Sequence, residues 1–115
     1  VFGDFSYESG ITAIGELLNK KKRYSAVFAA SDEMALGVYS YAYQHGIKIP
    51  ENLSVIGYDD TQNARMAIPP LTTVHQPIYE MGKMAVMALA KPESGIDSRI
   101  VKHSISERDS VKEIR

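Results

Sequence analysis

With 115 residues, 44% of them hydrophobic and 23% charged, the chain has the composition of one ordinary globular unit with enough apolar residues for a modest core. A formal net charge of -1 gives no electrostatic case for nucleic-acid binding by these residues. The absence of cysteine excludes a disulfide framework and a Cys-ligated metal, and fits a reducing compartment; no apolar run approaches the roughly 20 residues of a membrane span.

The Val1-Phe2-Gly3-Asp4 start reads as cut from something longer. Ser6 or Asp4 then caps a first helix whose Ile11, Ile14, Leu17 and Leu18 fall on one face. Lys20-Lys21-Lys22-Arg23 closes it where cations suit the negative end of the helix dipole, and the run reads as a solvated helix end. Residues 26–30, Ala-Val-Phe-Ala-Ala, form a continuous apolar run, the pattern of a strand buried on both faces of a parallel sheet. Ser31 or Asp32 caps a second helix running to about Gln44, and Gly46 supplies its left-handed exit. Pro50 and Asn52 mark a turn before a strand over 53–58, followed by a loop. Pro69-Pro70 introduces a strand over 71–75, and Pro77 suits the first turn of a helix over 78–90. Residues 92–97 read as a loop and 99–106 as a last, edge-like strand. Alternating strands and helices with short connections predict an α/β fold, a doubly wound and mostly parallel sheet with flanking helices.

Two helices carry a further pattern. On the second, Met34, Ala35, Val38 and Ala42 can face the sheet, while Leu36, Tyr39 and Tyr43 make another stripe pointing elsewhere. The second stripe is either an interface or a set of tyrosines lying over the surface. On the last helix, Met81, Met84, Ala85, Ala88 and Leu89 share a side that suits adaptable contacts or plain core.

Three strand ends terminate in polar groups: Ser31, Asp59 and Gln76. Ligands of α/β sheets sit off the carboxyl ends of strands. A hydroxyl, a carboxylate and an amide together suit a hydroxyl-rich or heterocyclic ligand better than a phosphate. Phe5 could add a stacking wall. Ser31 and Asp59 can equally be helix or turn caps. Catalytic signals are weaker. Asp59 and Asp60 are neighbours whose side chains diverge on an extended chain, and His45, His75 and His103 sit in no metal-ligand motif. There is no nucleophile elbow, phosphate loop or dinucleotide fingerprint, so neither an enzyme nor a cofactor is expected.

Several linked segments resemble the lactose/galactose-repressor family of bacterial transcription factors. They are Gly3-Asp4-Phe5-Ser6 with Ser9-Gly10, residues 30–37 (Ala-Ser-Asp-Glu-Met-Ala-Leu-Gly), residues 55–60 (Val-Ile-Gly-Tyr-Asp-Asp), residues 69–77 (Pro-Pro-Leu-Thr-Thr-Val-His-Gln-Pro) and the closing 105–110 with Arg108. The resemblance covers essentially the whole chain in the family's order and spacing. It implies one lobe, plus a crossover segment, of a two-lobed core like the periplasmic sugar-binding proteins of type I. Residues 1–76 would form the C-terminal lobe, 77–98 a crossover helix of the other lobe, and 99–115 the return strand and tail. It also implies a small carbohydrate-like effector bound between the lobes by Phe5, Ser31, Asp59, Gln76 and Ile78. A homodimer would form through Leu36, Tyr39, Tyr43, Met66 and Ala67. Operator DNA would be read by a helix-turn-helix domain outside these residues, in the bacterial cytoplasm.

The chain departs from the family's pattern at two places: many members have Asn at the position of Ser31, and sugar-selective ones often have Trp at that of Phe5. The motif flavour resembles regulators of carbohydrate use, including catabolite regulators that take a phosphorylated carrier protein as corepressor, bound largely through the other lobe. A periplasmic sugar-binding protein of a transporter is the competing expectation on the same fold. Such receptors are usually monomers, with no use for the Leu36, Tyr39 and Tyr43 face.

Overall fold

Local capping signals set where the helices begin. In the computed structural model, which describes residues 1–91 and 98–114, helix α1 runs Tyr7–Leu18 behind Ser6, whose hydroxyl accepts the Ser9 amide at 3.1 Å. Helix α2, Asp32–Gln44, starts the same way behind Ser31. It ends where Gly46 turns at φ +66, a conformation a side chain disfavours. Between and after them come strands β1 (Ala26–Phe28), β2 (Ser54–Asp59), β3 (Thr72–His75) and β4 (Ser104–Ser106). The sheet order is β1-β2-β3-β4: the first three strands are parallel and β4 runs antiparallel to β3. This is the predicted class, a mostly parallel sheet with flanking helices.

One core joins these elements. Ala35, Val38 and Ala42 of α2 are buried with Val55 of β2, with Leu53 and Leu71, and with Ile14 of α1, while Met34 is half-buried at its edge. The two helices cross backbone to backbone. A Cβ placed on Gly37 would run into the Tyr7 carbonyl and lie 2.9 Å from the Ile11 amide nitrogen, and one on Gly10 would meet the Met34 backbone. Ser110, fully buried, bridges the strands: its hydroxyl donates to the Val55 carbonyl at 2.6 Å and accepts the Thr72 amide at 2.8 Å.

Three expectations change. β1 is shorter than the predicted strand and is not buried on both faces. It forms one end of the sheet, and Phe28 is 59% exposed, its ring meeting Tyr58 edge-on at 6.4 Å. The stretch after β2 is not all loop: Thr61 caps a short helix, α3 (Gln62–Met66), which buries Ala64. One turn is too short to leave a period in the sequence. The last strand is also shorter than predicted, because β3 offers pairing only at Thr73, Val74 and His75. The loop expected over 92–97 lies outside the described residues.

Helix α4, Ile78–Ala90, forms where predicted, with no residue buried. It gives the molecule extents of 57 × 25 × 24 Å and a radius of gyration of 17.1 Å, against roughly 13 Å for a compact domain of this length. Among the described residues no helix is long and apolar enough to cross a membrane.

Candidate functional site

Parallel strands align their carboxyl ends, so β1, β2 and β3 deliver their last residues to one edge. The register sets Phe28 beside Ile56 and Asp59 beside His75, which places Ser31, Asp59 and Gln76 along that edge. The Gln76 amide donates to Asp59 Oδ1 at 2.7 Å, and both side chains are only half-buried. The carboxylate keeps unused lone pairs, and the amide keeps its oxygen and a second N–H. This pair can both accept from and donate to a ligand hydroxyl.

Ser31 is almost fully buried and works inward. Its hydroxyl accepts the Met34 amide at 3.1 Å and donates to the Phe5 carbonyl at 3.2 Å. The second bond ties the loop before α1 to this edge. Asp4 sets the same loop, accepting the Ser6 hydroxyl at 2.5 Å and the Ser6 amide at 3.0 Å; these hold its carboxyl well below the usual range, at about 2. Phe5 stands between with φ +68 and an exposed ring. Ile78, the first residue of α4, is also exposed beyond Gln76.

Among the described residues, the other non-glycine residues with positive φ are Asp59, at +120, and Asp60, at +60. Such conformations cost about 1–3 kcal/mol each and persist only where surroundings impose them, most often at functional sites. Three of them gathered on one edge is an independent pointer to a site.

Asp60 was not among the residues the sequence singled out for binding, and its surroundings are the site's densest polar cluster. Its side chain is 3% exposed and accepts Arg108 at 2.6 Å and Ser106 at 2.9 Å; it pairs with His75 Nδ1 at 2.9 Å, and Arg65 stands 3.7 Å away. Burial alone would raise its pKa, but the Arg108, Ser106 and His75 bonds and the Arg108 charge together bring it below the ordinary value. The adjacent acids do diverge, as the sequence suggests, though through positive φ rather than an extended backbone. Asp32 is a second buried carboxylate beneath the edge. It accepts the Thr73 hydroxyl at 2.6 Å and the Thr61 amide at 2.7 Å, and Gly57 is bare because a Cβ there would strike Asp32 Oδ1. Its partners lie some thirty to forty residues away, where no local pattern reaches. Among the described residues no three His, Asp or Glu side chains gather as a metal would need.

The proposed interface stripe divides. Tyr43 is 87% and Met66 69% exposed, whereas Leu36 and Ala67 are half-buried. Tyr39 packs against the core, with its hydroxyl donating to the Pro69 carbonyl at 3.0 Å and burial pushing its pKa up to about 12. That bond sets the outer face of α2 beside the segment carrying Met66, Ala67 and the exposed Ile68.

Residues 4–111 match a family described as a periplasmic binding protein-like domain. The catabolite control protein A of Priestia megaterium is 41% identical over 97% of this chain and 35% of its own length. The ribose operon repressor of Escherichia coli (strain K12) is 45% identical over 77% of this chain and 27% of its own length. A solved LacI family transcriptional regulator from Enterococcus faecalis V583, with bound ribose, superposes at TM-score 0.87 with 28% identity, covering all of this chain and 44% of that one. The chain therefore spans about a third or less of the length of these curated relatives.

Proposed function

This chain belongs to the LacI family of periplasmic binding protein-like regulators, and from that membership we propose that it is the effector-sensing and dimerisation region of a transcriptional repressor. The observation that carries the proposal is the Asp59–Gln76 pair, presented at the carboxyl edge of a parallel sheet by strained backbone. A carboxylate and an amide held 2.7 Å apart, with the exposed Phe5 on a loop that Ser31 ties to the same edge, match the alternating donors and acceptors of a small carbohydrate and its apolar ring face. Ribose in the Enterococcus faecalis regulator supports that ligand class.

In this reading Asp59 anchors the effector, Gln76 shares its hydroxyls, Phe5 and Ile78 wall the site, and Ser31 holds Phe5 in place. Residues 1–76 are one lobe, 77–98 cross to a second lobe and 99–115 return. The exposed apolar side of α4, with Met81 and Leu89, supports the crossing, since such a face asks for a partner. Tyr43, Met66, Leu36, Tyr39 and Ala67 meet their counterparts in a homodimer. Effector binding between the lobes shifts their equilibrium and so the spacing of two operator-reading domains in the bacterial cytoplasm. Couplings of this kind are typically about 1–3 kcal/mol.

The test uses the full-length protein that contains these residues. Truncating one partner of a buried hydrogen-bonded charge costs about 2–5 kcal/mol of binding. Asp59→Asn is therefore expected to abolish the change in operator affinity on adding ribose or another sugar to which the wild type responds, while sugar-free operator affinity is retained. A variant that responds at the wild-type sugar concentration removes Asp59 from the site.

A further inference from the structure

Asp59 and Asp60 face His75 and Gln76 across two neighbouring strands. The four residues form two rungs, Asp59 to Gln76 at 2.7 Å and Asp60 to His75 at 2.9 Å, joined by the peptide bonds of each adjacent pair. The outer rung is open to ligand; the inner one is buried at Asp60. We propose that Asp60 is the positioning residue of the effector site: by gripping Arg108, His75 and Ser106 it fixes the turn that presents Asp59 and the strand end that presents Gln76. The inference rests on the reading that Asp59 and Gln76 contact effector.

Three observations carry it. First, the turn through Asp59 and Asp60 is held at φ +120 and +60, which the chain relaxes unless something opposes it. The Asp60 side chain opposes it with partners on β3, on β4 and beyond β4, and Asp32 holds the amide of the next residue, Thr61. Second, the far end of the grip is itself rigid. Arg108 also donates to the Leu71 carbonyl at 2.8 Å, and its backbone exchanges bonds with the Thr72 hydroxyl at 2.8 and 3.0 Å. Arg108 is thus stapled to the start of β3 while it holds the end of β2. Third, His75 and Ser106 lie on the two strands by which the chain departs toward α4 and comes back. Asp60 therefore clamps the roots of both crossing segments, where any relative motion of two lobes bends the chain.

A buried carboxylate also supports the fold, so the test separates positioning from stability. In the full-length protein, Asp60→Asn leaves Arg108 partly buried without its charge partner, whereas Asp60→Asn combined with Arg108→Gln removes that buried charge and leaves only the exposed Arg65 without its ion pair. Melting temperature and calorimetric titration with ribose are measured for wild type and both variants. The expected result is a melting temperature that recovers in the double variant while sugar affinity stays at least about tenfold weaker than wild type, because the site remains loose. A ligand-free readout accompanies it: the Gln76 side-chain amide protons, shifted downfield by Asp59, should move to the free-amide position in NMR spectra of both variants. Wild-type affinity in the double variant, or Gln76 resonances unchanged from wild type, overturns the proposal. If the wild-type protein binds no ribose, ribose falls as the effector and the titration is run with a sugar to which its operator binding responds, while the Gln76 resonances decide the role of Asp60 without any ligand.

Discussion

Replacing Gly37 with alanine sets two known effects against each other at one atom. In an exposed helix interior the change stabilises by about 0.8–1 kcal/mol, because glycine loses more backbone freedom on folding. Gly37 is not exposed. Its added Cβ would overlap the Tyr7 carbonyl and lie 2.9 Å from the Ile11 nitrogen and 3.1 Å from the Gly10 Cα. All three are backbone atoms of α1, so no rotamer change relieves the clash and the helix must move. Overpacking costs about 1–3 kcal/mol, and a backbone-on-backbone contact belongs at the upper end. The displacement also loosens Ile14, which α1 contributes to the core. The net expectation is a loss of about 2 kcal/mol, read as a fall of roughly 1 M in the urea midpoint at unchanged slope. Gly82→Ala is the control. It sits inside α4 with nothing within 4 Å of its added Cβ, so the same chemical change should raise the helical content of α4 by circular dichroism. A Gly37→Ala chain as stable as wild type would refute the claim that this crossing limits how closely α1 and α2 pack.

Two further outcomes follow from the polar network. Asp60 is held below its ordinary pKa, so its contribution is fully present above pH of about 4, the unfolded value, and is lost as pH falls toward its folded value. Asp4, held at about 2 by Ser6, acts in the same direction. The urea midpoint should therefore drop between pH 5 and pH 3, and Asp60→Asn should flatten that drop; an equal slope in wild type and variant would contradict it. Ser31→Ala removes the cap of α2 and the bond to the Phe5 carbonyl together. It should cost about 1–3 kcal/mol by chemical denaturation, and an effect below about 0.5 kcal/mol would show that neither bond matters.

The sequence by itself determined what is local. Ser6 and Ser31 as caps, Gly46 as an exit, and the order of strands and helices depend on residues within a turn of each other, where propensity and hydrogen-bond geometry act directly. That Asp59 and Gln76 share one edge was legible for a related reason: in a parallel sheet the carboxyl ends of the strands reach the same edge, whatever the details of packing. The tertiary structure decided the rest. It left Phe28 open on an end strand, made a helix of residues 62–66, and buried Asp32 beneath the edge. It drew Asp60 and Arg108 together across 48 positions of sequence. Nothing in either residue's neighbourhood announces that pairing, because a buried ion pair is stabilised by what excludes water around it, and that surrounding exists only once the strands have met.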